Sequence, residues 1–214
     1  MATSEYLFVL ASLVLLARSV RAAILHWSRR TKYPPVAQAQ VAVTAIVVGN
    51  LIAAGMVWMV TPGSFPFRLF GVPADAALGF GLGLVVYTFG FRPFFRDPWK
   101  GVTIGPWWWV VLALVTGVCE EFVWRGFAYA RGRTLFGPAG GLLALTLFAV
   151  GHMGRGLPGL AGPALLGLVC SLLLDFRGSL GAPIIAHATY NFCIGWKRER
   201  NGTNTRSRSV QAVW

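Results

Sequence analysis

Acidic residues are rare in this chain: 7 Asp and Glu stand against 19 Lys and Arg in 214 residues, and charged residues make up only 12%. An average soluble domain has about twice that charged fraction, which excludes an ordinary soluble domain. Cysteine is also scarce. Cys119, Cys170 and Cys193 lie in apolar segments without a CxxC spacing. That pattern excludes a disulfide framework and leaves small buried apolar side chains. No basic residue precedes the first apolar stretch, so that stretch reads as an uncleaved anchor and not a secretory signal. There is no HExxH, no glycine-rich phosphate loop in a βα setting, and no GxSxG around Ser171 beside Cys170. Nucleotide chemistry and a serine protease therefore lack support. No internal repeat is found.

What the chain does have is apolar length. Hydrophobic residues make up 56%, with a mean hydropathy of +0.62. The expected fold is all-α: a polytopic transmembrane bundle of about seven spans (six to eight), forming a single domain over residues 1–196. The spans are expected near Tyr6–Trp27, Val36–Val60, Ala76–Phe91, Pro106–Tyr129, Gly137–Met153, Leu160–Phe176 and Ala182–Trp196. The doublet Pro34-Pro35 separates the first two, and Trp107-Trp108-Trp109 opens the fourth as an aromatic belt. Gly79-xxx-Gly83 in the third is a spacing at which helices approach closely. The last span, about 15 residues, is short of the ~20 needed to cross. It is expected to be tilted, buried among neighbours or re-entrant.

The formal charge of +12 sits in the short connections and in residues 197–214, read as a flexible basic tail. With the amino terminus outside, fourteen Lys and Arg fall on one face and four on the other. That makes the first face, with the carboxyl terminus, cytoplasmic. Such placement suits anionic lipid headgroups. The bilayer is the expected partner, and nucleic acid is not.

The stretch Cys119-Glu120-Glu121-Phe122-Val123-Trp124-Arg125 puts two acids and a base inside an apolar span. On insertion scales each costs roughly 2.5–3.5 kcal/mol at a helix centre, against about −0.3 to −0.6 for each Leu, Ile, Phe or Val. The fold must shelter them. Glu121 and Arg125 stand at i, i+4 with the carboxylate first, the favourable order for a pair. Glu120 is turned about 100° away and is expected to lack that partner, which suits a general base. His187 and Asn191, also at i, i+4, form a candidate donor pair for a developing oxyanion. His152 follows Phe148 by four residues and is placed to share a water with Glu120 if the fourth and fifth spans are neighbours. Two Glu and two His are also legitimate zinc or iron ligands, although Arg125 would oppose a nearby cation. A non-enzymatic immunity or scaffold protein is a further alternative.

These residues form three patterns in order: Glu120-Glu121-xxx-Arg125, Phe148-xxx-His152 and His187-xxx-Asn191. In this the chain resembles the CPBP intramembrane protease family, which includes CAAX prenyl endopeptidases of the Ras-converting type and bacterial Abi proteins. The resemblance covers about residues 105–196. It implies a glutamic-type intramembrane endopeptidase with no catalytic metal or other cofactor. Glu120 and His152 would activate water, His187 and Asn191 would stabilise the oxyanion, and Glu121, Arg125 and Phe148 would support the site. The implied partner is a membrane-anchored protein or peptide cut near its carboxyl end, lipidated or carrying a sorting tag. A compact basic chain of this kind is expected in a prokaryotic inner or plasma membrane.

Overall fold

The computed structural model describes residues 2–30, 35–61, 68, 73–91, 103–152 and 160–211. Among them all regular structure is helical, apart from one bridge between Arg68 and Ser179. Lys32, Pro34, Arg92, Arg96, Lys100, Met153 and Arg155, which enter the expected orientation and span limits, lie outside the described residues. The elements are α1 (Thr3–Arg30), α2 (Pro35–Val60), α3 (Pro73–Phe91), α4 (Pro106–Glu121), a π-helical segment (Phe122–Tyr129), α5 (Ala130–Phe136), α6 (Pro138–Gly151), α7 (Ala161–Arg177) and α8 (Gly181–Gln211). Proline opens α2, α3, α4 and α6. In the first turn it gives up no hydrogen bond, because those N–H groups lack intrahelical acceptors, and its φ is already helical.

Each of the seven expected stretches coincides with a helix. Among the described residues α2 is long and apolar enough to cross a membrane, and Thr3–Leu16, Pro73–Phe89 and Pro138–Gly151 are shorter apolar stretches. Two boundaries differ from expectation. The fourth stretch continues past Tyr129 through the π segment into α5. The seventh is twice the expected length: α8 has 31 residues and carries helix through the basic positions to Gln211. Hydropathy marks where polarity rises, and there the backbone keeps its conformation. Glu199 fastens this extension to α4, accepting from Ile104 N at 3.2 Å, Gly105 N at 3.3 Å and Trp109 Nε1 at 3.1 Å.

The core is divided along the bundle. α1 packs on the π segment through Tyr6, Leu10, Phe127 and Ala128, and the Tyr6 hydroxyl donates to Ala128 O at 2.8 Å. α3, α7 and α8 share Val86, Leu166, Cys170, Leu173, Ala186 and Tyr190. Gly79 and Gly83 form the α3–α8 contact. A Cβ at either would meet the carbonyl oxygen of Ala182 or Ala186 at 2.4 and 2.5 Å, so only glycine lets the backbones come this close. The α7–α8 corner is tied by the left-handed Gly178, by Arg68, which pairs with Gly178 and Leu180, and by Asp75, which accepts from Ser179 and Arg177. The three cysteines are free. Phe8, Met59, Phe89, Trp107, Leu142 and Phe176 are exposed on the outer surface, as expected of a face turned to lipid.

Candidate active site

α4 and α8 carry most of the candidate site. A Cβ at Gly117 of α4 would lie 3.0 Å from Ala188 Cβ and 3.1 Å from Ile184 O, so this contact too needs the missing side chain. Four residues further along α4, Glu121 lies fully buried beside His187 of α8. Directly after Glu121 the backbone widens, and the Ala130 N–H closes on Arg125 O, five residues back. Such π turns occur often at functional sites because they reset the direction of side chains within one helix.

Glu121 Oε1 is the hub. It accepts from Arg125 Nη1 at 3.1 Å and lies 2.6 Å from His187 Nδ1. An ionised carboxylate only accepts, so His187 Nδ1 carries a proton and Nε2 faces the other way. There Nε2 lies 3.8 Å from Glu120 Oε2. That is too far for a direct hydrogen bond but within the span of one bridging water or substrate oxygen. The two adjacent glutamates thus face the two nitrogens of one imidazole.

Phe148 supports the cluster from α6. Arg125 Cζ stacks over its ring at 4.1 Å, and the His152 and His187 rings lie 4.8 and 6.2 Å from it. This guanidinium is weakly hydrated, so the aromatic face is a favourable neighbour at depth. His152 closes α6, with Nδ1 2.8 Å from Phe148 O and its ring half-buried. It joins the site through the shared Phe148 ring.

Asn191 differs from its expected aim. Its Nδ2 donates to Thr116 Oγ1 at 2.8 Å, and the Thr116 hydroxyl donates in turn to Leu112 O at 2.6 Å. The i, i+4 relation to His187 holds on α8, but the two side chains have different partners. Glu120 differs as well, because it does have a partner: Asn50 of α2 donates to its Oε1 at 3.3 Å. Neither Asn50 nor Thr116 was expected from the sequence. The one signal for Asn50 was an amide in the middle of an apolar helix. Thr116 carries none, because threonine in a helix usually bonds its own backbone. Among the described residues no three His, Cys, Asp or Glu side chains are grouped to hold a metal ion.

Residues 102–193 match the family model described as type II CAAX prenyl endopeptidase Rce1-like. No curated protein and no solved structure matches the chain. The matched residues contain all three patterns, from Glu120 to Asn191, and exclude α1, α2 and α3. Over these 92 of its 214 residues the chain is similar to the Rce1-like family of type II CAAX prenyl endopeptidases, a family of membrane proteases.

Proposed function

We propose that the chain is an intramembrane endopeptidase that hydrolyses a peptide bond near the carboxyl end of a membrane-anchored protein or peptide. In this reading all seven long helical stretches cross the bilayer and the carboxyl terminus is cytoplasmic. Glu120, with His152, takes a proton from the attacking water. The tetrahedral oxygen is then met by the second amide hydrogen of Asn191 and by His187 Nε2–H, the ring acting as an imidazolium because its Nδ1–H stays on Glu121. Collapse of the intermediate returns the proton to the leaving amine. Glu121 and Arg125 stay ionised throughout and fix the His187 ring, while Phe148 holds Arg125 and His152.

One observation carries the proposal. His187 lies between two glutamates in different states: Glu121 is ion-paired and fully buried, whereas Glu120 is 15% exposed and its Oε2 faces Nε2 across 3.8 Å. The two neighbouring acids thus divide into a support and a reactive group, the division that acid–base chemistry requires. Substrates are to be found by comparing membrane-protein carboxyl termini by mass spectrometry in cells carrying wild-type or Glu120→Gln protein. Shortened termini should vanish with Glu120→Gln and with His152→Ala, while purified wild-type protein should keep cutting in the presence of chelator. Full cleavage by purified Glu120→Gln would refute the assignment.

A further inference from the structure

The family match begins at residue 102, yet the site draws one polar side chain from α2, at Asn50. α2 has 26 residues and spans about 39 Å at 1.5 Å per residue. Asn50 lies ten residues from its carboxyl-terminal end, near the middle of the helix. Between Gln40 and that end it is the sole amide, and no charged side chain accompanies it. A polar group at such depth is costly unless it is hydrogen-bonded. Asn50 uses its amide nitrogen twice, donating to Ile46 O at 3.1 Å and to Glu120 Oε1 at 3.3 Å. The first bond ties the side chain to its own helix, so the second donor has a fixed aim.

The chemistry of that donor is informative. The cation of this site, Arg125, goes to Glu121, where a permanent charge supports structure. A guanidinium paired directly with Glu120 would weaken it as a base. A neutral amide restrains a carboxylate without a counter-charge. It also distinguishes the two oxygens, because Oε1 is held by Asn50 while Oε2 faces His187.

We propose that Asn50 is a positioning residue for Glu120, holding Oε1 so that Oε2 is presented to the attacking water beside His187. The proposal rests on Glu120 being the water-activating acid, and it assigns part of the active site to the amino-terminal half of the chain.

The test uses full-length protein in liposomes, with a quenched farnesylated CAAX peptide and peptides from the carboxyl-terminal comparison as substrates. Asn50→Leu removes both donors at similar volume, and Asn50→Gln keeps the amide one methylene further out. A hydrogen bond to a charged acceptor corresponds to roughly a 10- to 100-fold effect. Asn50→Leu should therefore lower kcat by that factor with KM changed less than about twofold, and Asn50→Gln should recover part of it. The Glu120 carboxylate stretch, identified in infrared spectra by its loss in Glu120→Gln, should shift in Asn50→Leu, a change that a purely structural role would not produce. If Asn50→Leu does not fold, Asn50→Ala replaces it, and equal kcat for Asn50→Ala and Asn50→Gln overturns the proposal. An inactive Glu120→Gln beside an Asn50→Leu with normal kcat and an unshifted band overturns the role of Asn50 alone. A fully active Glu120→Gln overturns the catalytic reading and the role of Asn50 with it.

Discussion

Replacing Arg125 with Met should destabilise the protein by about 3–5 kcal/mol, the usual consequence of breaking a buried ion pair from one side. The size of the effect follows from how Glu121 is held. Glu121 is 0% exposed and Arg125 1%. Both hydrogen bonds to Glu121 fall on Oε1, and Oε2 has no partner among the described residues. Without the guanidinium, a fully buried carboxylate would be left with one imidazole. In a chain of this size each kcal/mol shifts Tm by about 2–4 °C, so thermal unfolding in detergent should move down by roughly 6–20 °C. The double variant Glu121→Gln/Arg125→Met removes both charges and should recover most of the lost Tm, since neither partner is stranded. Its activity should stay low, because His187 no longer has an ionised acceptor. An Arg125→Met protein with wild-type Tm would refute this reasoning, and if it were also inactive it would move Arg125 from structural support to substrate binding. A double variant as unstable as the sum of the singles would refute it equally.

Two further outcomes test the packing around the site. A Cβ at Gly167 would lie 3.0 Å from Arg125 Nη2 and 3.1 Å from Phe148 Cδ1, so Gly167→Ala should cost about 1–3 kcal/mol by overpacking. It should also lower kcat by displacing the groups that hold His187 and His152; unchanged Tm and kcat would show that these side chains yield freely. Glu199→Ala removes the acceptor shared by Ile104, Gly105 and Trp109 at the start of α4. It should lower stability by about 1–2 kcal/mol and leave kcat nearly unchanged, because this contact lies at the far end of α4 from Glu121. Urea or thermal titration and steady-state kinetics separate the two effects.

The parts of the fold and site legible in the sequence were those that depend on spacing along one helix. Glu121 with Arg125 is such a case, as is Gly79-xxx-Gly83, whose small side chains give the α3–α8 contact. The partners across helices were not legible. His187 meets Glu121 over 66 residues, Asn50 meets Glu120 over 70, and Asn191 finds Thr116 over 75. An apolar helix surrounded by lipid and protein has no polar face to show which side turns inward. For the same reason, the sequence suggested that Glu120 lacked a partner when its partner was in α2. The length of α8 was missed because its polar half is held by polar contacts, among them those of Glu199 and Arg198 with Trp109, and not by an apolar stripe.

The π segment Phe122–Tyr129 has a consequence for how this chain can change. Its wide turns accommodate one residue more than a regular α-helix would over the same rise. Winding the same eight residues as regular α-helix would turn everything beyond them by about 100° relative to Glu121. Either Glu121 would leave His187, or Ala128 and Tyr129 would leave Tyr6 and Asp175. Deleting one residue there would instead let the helix become regular with the flanking turns close to their present register. The wide turns thus decide which side chains of this segment meet Glu121, Tyr6 and Asp175, and a single-residue insertion, which no further wide turn absorbs, should be more damaging here than a single-residue deletion.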